Sequence, residues 1–167
     1  MAIVGIDVDG VIAENPWKIW YWPFSGKPIR NRVVRVLLAT PCYIFRHPKS
    51  KAVEWIREQR EAGNKVFVVS GIYGIIGWLV RCWFKLWKIP FDGIYLRKDP
   101  RVSQPLFKAR VISTIGCTLF IDDREDIIKA IAKQFRLDGF RKVTISKNEL
   151  GYVVVAEEEK MEVVTLI

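Results

Sequence analysis

Ile3-Val4-Gly5-Ile6-Asp7-Val8-Asp9-Gly10: near the start of the chain, an apolar run breaks off into two carboxylates and a glycine. A short apolar run with polar residues beyond it reads as a buried strand, here Ala2–Ile6. The same shape recurs downstream. Lys65–Val69 ends at Ser70-Gly71, Gly93–Leu96 follows, and Cys117–Ile121 ends at Asp122-Asp123. Helical stretches lie between them. Ser50 is placed to cap a helix over Lys51–Ala62 that stops at Gly63. Ile72–Lys88 reads as a nearly all-apolar helix ended by Pro90. Ser103–Ile115, with Ser103 as cap, and Asp126–Phe135 complete the helices. Lys142–Ile145 reads as a fifth strand and Tyr152–Val155 as a sixth.

Apolar strands alternating with helices predict an α/β fold, a Rossmann-like parallel sheet covered by helices on both faces. In such sheets, sites form beyond the carboxyl ends of the strands. Three of these strands end in polar groups: Asp7 with Asp9, Ser70, and Asp122 with Asp123. Their convergence at one rim is the central expectation.

Each group has a functional and an ordinary reading. Asp7 can attack phosphorus as a nucleophile, and Asp9 can protonate a leaving oxygen and then activate water. An acidic turn fits the same residues. A calcium-binding EF loop does not, because a strand precedes the acids and Lys18 falls at the closing ligand position. Ser70 and Gly71 can bind a phosphoryl oxygen, or simply cap a helix. Lys108 can neutralise charge beside the nucleophile, or be a solvated lysine. Arg97, Lys98 and Arg101 compete for that role. Asp122 and Asp123, adjacent at a strand end, repel each other unless a cation intervenes, and hard oxygen ligands suit Mg²⁺. A helix start favours acids too, which accounts for Glu125 and Asp126 better than for Asp122 and Asp123.

In this order, Val4–Gly10, Val68-Val69-Ser70-Gly71, Lys108 and Phe120-Ile121-Asp122-Asp123 resemble the four motifs of the haloacid dehalogenase superfamily, over about residues 3–135. Asp92–Arg97 followed by Lys108 also resembles its polynucleotide-phosphatase and nucleotidase branches. The resemblance implies a phosphatase working through an aspartyl-phosphate. Asp7 would be nucleophile and Mg²⁺ ligand. Asp9 would be the acid/base, with its backbone carbonyl on the metal. Ser70 would bind phosphoryl oxygen and Lys108 would fix Asp7 and the phosphate. Asp123 would be the metal carboxylate, with Asp122 second or in the outer shell. A halide leaves without a proton, whereas an alkoxide needs one, so Asp9 favours phosphatase over dehalogenase. Residues 13–49 are where the family inserts a cap, here a small one or a flap that leaves the site open.

Composition sets the remaining expectations. The 167 residues are enough for a single domain, half are hydrophobic, and mean hydropathy is +0.11. No apolar run reaches the roughly 18–20 residues of a membrane span. Met1–Ile6 lacks the basic leader of a secretory signal. Cys42, Cys82 and Cys117 fit neither a zinc pattern nor a disulfide framework and read as reduced core thiols of a cytoplasmic protein. The single His47 excludes histidine metal cages and a Ser-His-Asp triad. The net charge of +9 favours anionic partners. These include a phosphorylated small molecule, a nucleotide or polynucleotide, and a lipid phosphate.

Seven tryptophans interleave with cations, including Arg81, Lys85 and Lys88 at helical spacing beside Trp78, Trp83 and Trp87. That mixture suits peripheral contact with an anionic membrane surface or with nucleic acid, and ordinary packing accounts for most tryptophans taken singly. The non-catalytic alternative is a basic, aromatic binding module on the same fold.

Overall fold

The computed structural model describes residues 1–14, 41, 45–99 and 101–157. Strand β1 (Ile3–Ile6) is central, as its unbroken apolar sequence requires. Around it are helix α1 (Ser50–Glu61), strand β2 (Lys65–Tyr73), a 3₁₀ turn over Gly74–Ile76 and helix α2 (Gly77–Leu86). Strand β3 (Gly93–Arg97), helix α3 (Gln104–Thr114), strand β4 (Leu119–Asp122), helix α4 (Glu125–Leu137) and strands β5 (Lys142–Lys147) and β6 (Tyr152–Glu157) follow. The six strands form one mixed sheet in the order β3-β2-β1-β4-β6-β5.

The strand period of two sorts the core into two layers. Val4, Ile6, Val66, Val68 and Ile121 face one way, onto Ile56 of α1 and Leu79, Val80 and Phe84 of α2. Val69, Phe120 and Val154 face the other, onto Ile112 of α3 and Ile127, Ile131 and Phe135 of α4. The last three recur every four residues, one stripe of a helix. Each such side chain contributes roughly 1.5–3 kcal/mol through burial.

The expected parallel sheet with helices on both faces is present across β3, β2, β1 and β4. β6 departs from it, running antiparallel to β4 and to β5. The cause is connection length. Residues 148–151 make a tight turn in which Asn148 Oδ1 accepts from the Leu150 and Gly151 N–H groups, and a parallel return needs a dozen residues or more.

Three local expectations are corrected. Strand β2 does not stop at Val69 but runs through Ser70 to Tyr73, with a register shift against β3 between those residues. Helix α2 therefore starts at Gly77, not Ile72, and ends before Lys88, which has a positive φ of 48°. Lys88 thus lies off the helix that carries Arg81 and Lys85. Ser50 lies inside α1, whose N-cap is Lys49 and has no side-chain cap bond. Ser103 does cap α3, its Oγ accepting from Leu106 N–H at 3.4 Å.

Trp83 is core, Trp87 half-buried and Trp78 exposed, so the expected aromatic–basic stripe reduces to Trp78, Arg81 and Lys85, with exposed Leu86. Cys117 is buried, but Cys82 is exposed and is no core thiol. Cys42 lies outside the described residues. Among the described residues, no helix is long and apolar enough to cross a membrane.

The expected insertion over 13–49 falls mostly on residues 15–40 and 42–44, outside the described set. Its two ends are described. Ala13 pairs with both Asp9 and Pro48, and the Lys49 N–H donates to the Ile12 carbonyl at 2.7 Å.

Candidate active site

Register brings the polar strand ends together. Ile6 stands opposite both Val68 and Ile121. One residue further, the Asp7 N–H donates to the Ile121 carbonyl at 3.0 Å. Asp7, Ser70 and Asp122 therefore lie at one rim of the sheet, and all three are buried.

Lys108 joins the carboxylates. It enters from the first turns of α3 and is 1% exposed, so it is no surface lysine. Its Nζ lies 3.0 Å from Asp7 Oδ2 and 2.5 Å from Asp122 Oδ2. Burial opposes its charge, but the two carboxylates outweigh burial and hold the Lys108 pKa above its ordinary value. Asp122 Oδ1 accepts from the Arg124 N–H at 3.0 Å, so both of its oxygens are engaged. Burial, and then the charge of Asp7, push Asp122 up to about 7 against the pull of Lys108. Two of the competitors make other contacts: Arg97 Nη1 donates to the Val102 carbonyl, and Arg101 pairs with Asp99.

Carboxylate oxygens of Asp7, Asp122 and Asp123 lie within 4.8 Å of one another. Lys108 bridges two of the three, Asp7 and Asp122. Asp7 Oδ1 is buried with no hydrogen-bond partner. An all-oxygen donor set and an orphaned buried oxygen together fit a hard divalent cation such as Mg²⁺.

Gly10 explains how Asp123 reaches the cluster. A Cβ there would lie 2.1 Å from Asp123 Oδ2, and the residue has φ of +88°. Only glycine takes that conformation without strain while leaving the carboxylate its place. The Gly10 carbonyl accepts from Lys49 Nζ at 2.6 Å, which fixes the turn after β1.

Asp9 stands apart from the three-acid group. Its Oδ1 accepts from Arg46 Nη1 at 2.6 Å. Burial raises its pKa, Arg46 opposes the rise and Asp7 adds to it, with a net shift upward. Ser70 Oγ accepts weakly from the Ile72 N–H at 3.5 Å. Gly71 lies against Gln104, where a Cβ would come within 2.6 Å of the side-chain amide carbon. Gln104 Oε1 accepts from Arg124, whose guanidinium also donates to both oxygens of Asp126. Asp126 is thus bound up with Arg124 as well as sitting at a helix start. Arg46, Gln104 and Arg124 were not anticipated from sequence. None sits in a recognisable pattern, and each is identified only by the carboxylate or glycine it touches.

No family model matches the sequence, and no relative is found among curated proteins. Solved structures do match. A chain of the Pnkp1/Rnl/Hen1 complex superimposes with a TM-score of 0.57 at 14% identity, over 77% of this chain and 40% of that one. A chain of the Pnkp1/Rnl/Hen1 RNA repair complex gives 0.56 at 14% identity, over 77% and 38%. The protein thus spans about two fifths of the chains it resembles, and the likeness is one of fold.

Proposed function

We propose that this protein is a Mg²⁺-dependent phosphomonoester hydrolase of the haloacid dehalogenase superfamily, acting through an aspartyl-phosphate on Asp7. The observation that carries this reading is Asp7 itself. One of its oxygens is held by buried Lys108 and the other is unpartnered, at a rim where two more carboxylates converge.

Asp7, Asp123 and the backbone carbonyl of Asp9 would hold Mg²⁺, with Asp122 behind them orienting Lys108. When bound, Mg²⁺ supplies positive charge against the acids and the phosphoryl oxygens. A carboxylate oxygen of Asp7 forms the new bond to phosphorus as the ester P–O bond breaks. The leaving oxygen takes its proton from Asp9. Asp9, then a carboxylate, accepts a proton from the water that attacks the acyl phosphate, which releases inorganic phosphate and restores Asp7. Lys108 holds Asp7 in line, while the Ser70 hydroxyl and backbone around Gly71 bind phosphoryl oxygens. The upward shift of Asp9 suits a group that must donate a proton.

Nucleotides, polynucleotide ends and lipid phosphates are the proposed substrates, and the fold likeness to a chain of an RNA repair complex favours a polynucleotide end. A second reading is a binding module for an anionic surface. It draws on the exposed face of α2, where Trp78, Arg81, Lys85 and Leu86 recur at helical spacing without an acid.

Hydrolysis of p-nitrophenyl phosphate separates the two. Turnover with Mg²⁺, lost in EDTA and abolished in a folded Asp7→Asn variant, is expected. A wild-type protein inert across a wide panel of phosphoesters would leave only the binding module.

A further inference from the structure

Asp9 is held from a direction that no strand or helix of the sheet supplies. Arg46 lies four residues before α1, just ahead of the Pro48 that pairs with Ala13. Its side chain is only 6% exposed. Nη1 donates to Asp9 Oδ1 at 2.6 Å, and the guanidinium carbon sits 5.0 Å from the centroid of the Trp83 ring. Trp83, a core residue of α2, donates its indole N–H to the Arg46 backbone carbonyl at 2.9 Å. One tryptophan therefore grips the arginine at its backbone and under its head group.

Ordering a long side chain costs rotamer freedom, and burying a guanidinium costs more unless it is paired. Neutralising Asp9 would need only a flexible surface cation. A buried arginine held at both ends fixes a direction as well as a charge. With Oδ1 accepting from Arg46, the plane of the Asp9 carboxyl is set and proton transfer falls to Oδ2.

We propose that Arg46, seated on Trp83, is a positioning residue for the proton-transferring Asp9. In the step that forms the acyl phosphate, it matters for esters whose leaving group must be protonated and little for those whose leaving group departs as a stable anion. This rests on the phosphohydrolase reading above.

The test compares kcat/KM for glycerol phosphate and 2,4-dinitrophenyl phosphate with Mg²⁺. Glycerol leaves as a strongly basic alkoxide, dinitrophenol as a stable phenolate. Arg46→Met is expected to lower kcat/KM for glycerol phosphate about a hundredfold, the low end of what a placed acid contributes, and kcat/KM for dinitrophenyl phosphate, which stops short of the water step, by less than about threefold. Asp9→Asn should show the same selectivity, and combining the two should add little. Arg46→Lys should recover part of the loss. Trp83→Phe keeps a ring but removes the N–H, and should give a smaller loss of the same selectivity. If Arg46→Met does not fold, the last two variants carry the comparison.

Equal losses on both esters, or no loss on either, in an active enzyme would overturn the role of Arg46 and leave the phosphohydrolase reading standing. A wild type inert toward both esters and across the wider phosphoester panel would overturn the two together.

Discussion

The two acids of the first strand end are held in opposite ways. Asp7 is fixed by Lys108 from α3, inside the rim of the sheet, with Asp122 from β4 on the same ammonium. Asp9 is fixed by Arg46, from an irregular stretch outside the sheet that leans on α2. The first corner is a product of the core layers, so disturbing it disturbs the fold. The second is an attachment to the core, so disturbing it should alter chemistry more than folding. In the proposed mechanism that division is sensible. The nucleophile must stay still through two displacements, while the acid must exchange a proton.

Breaking the first corner should have the largest effect. Lys108→Met leaves Asp7 and Asp122 facing each other without their ammonium. A loss of about 3–5 kcal/mol in urea denaturation is expected without metal, together with loss of turnover. A variant that unfolds like wild type in EDTA would show that the corner is not electrostatically tied to the core.

Gly10→Ala comes next. The left-handed backbone costs a residue with a Cβ about 1–2 kcal/mol. The added carbon would also displace the Asp123 carboxylate, so Mg²⁺ affinity measured by titration calorimetry should fall more than stability does.

The third test is pH. Asp122 rises from 3.8 to about 7 in the folded chain through burial and the charge of Asp7. The folded state therefore holds this proton more tightly than the unfolded one. In EDTA, its contribution should lower the melting temperature as pH rises from about 4 to about 7, with no further change above. Asp122→Asn should flatten that fall, and an unchanged profile in the variant would remove Asp122 from the balance.

The smallest effect is expected from Ser103→Ala, which removes the cap of the helix carrying Lys108. Chemical denaturation should show a loss of about 1 kcal/mol. Turnover should drop measurably only if α3 shifts Lys108.

The same division governs what could be read from sequence. β1, β4 and the acids that end them are legible because an apolar run halted by carboxylates fits a buried strand end and little else. Lys108 is legible only through its order among the other groups, since nothing beside Phe107 or Ala109 marks a lysine as buried. The end of β2 is misread because Ile72 and Tyr73 suit a strand as well as a helix, and an all-apolar run has no period to separate them. β6 reverses because the turn before it is short, a matter of chain reach rather than composition. Arg46 is invisible in sequence. Its role comes from Asp9 and Trp83, 37 residues away on either side.

Ala13 and Pro48 meet in a single bridge. The described ends of that segment therefore meet at one doorway. Loop closure grows slowly with length, by about 0.6 kcal/mol per doubling. A graft joining those two ends can therefore be longer or shorter with little burden on the sheet. The graft must keep one thing: an arginine on its returning edge, two residues inside the threshold.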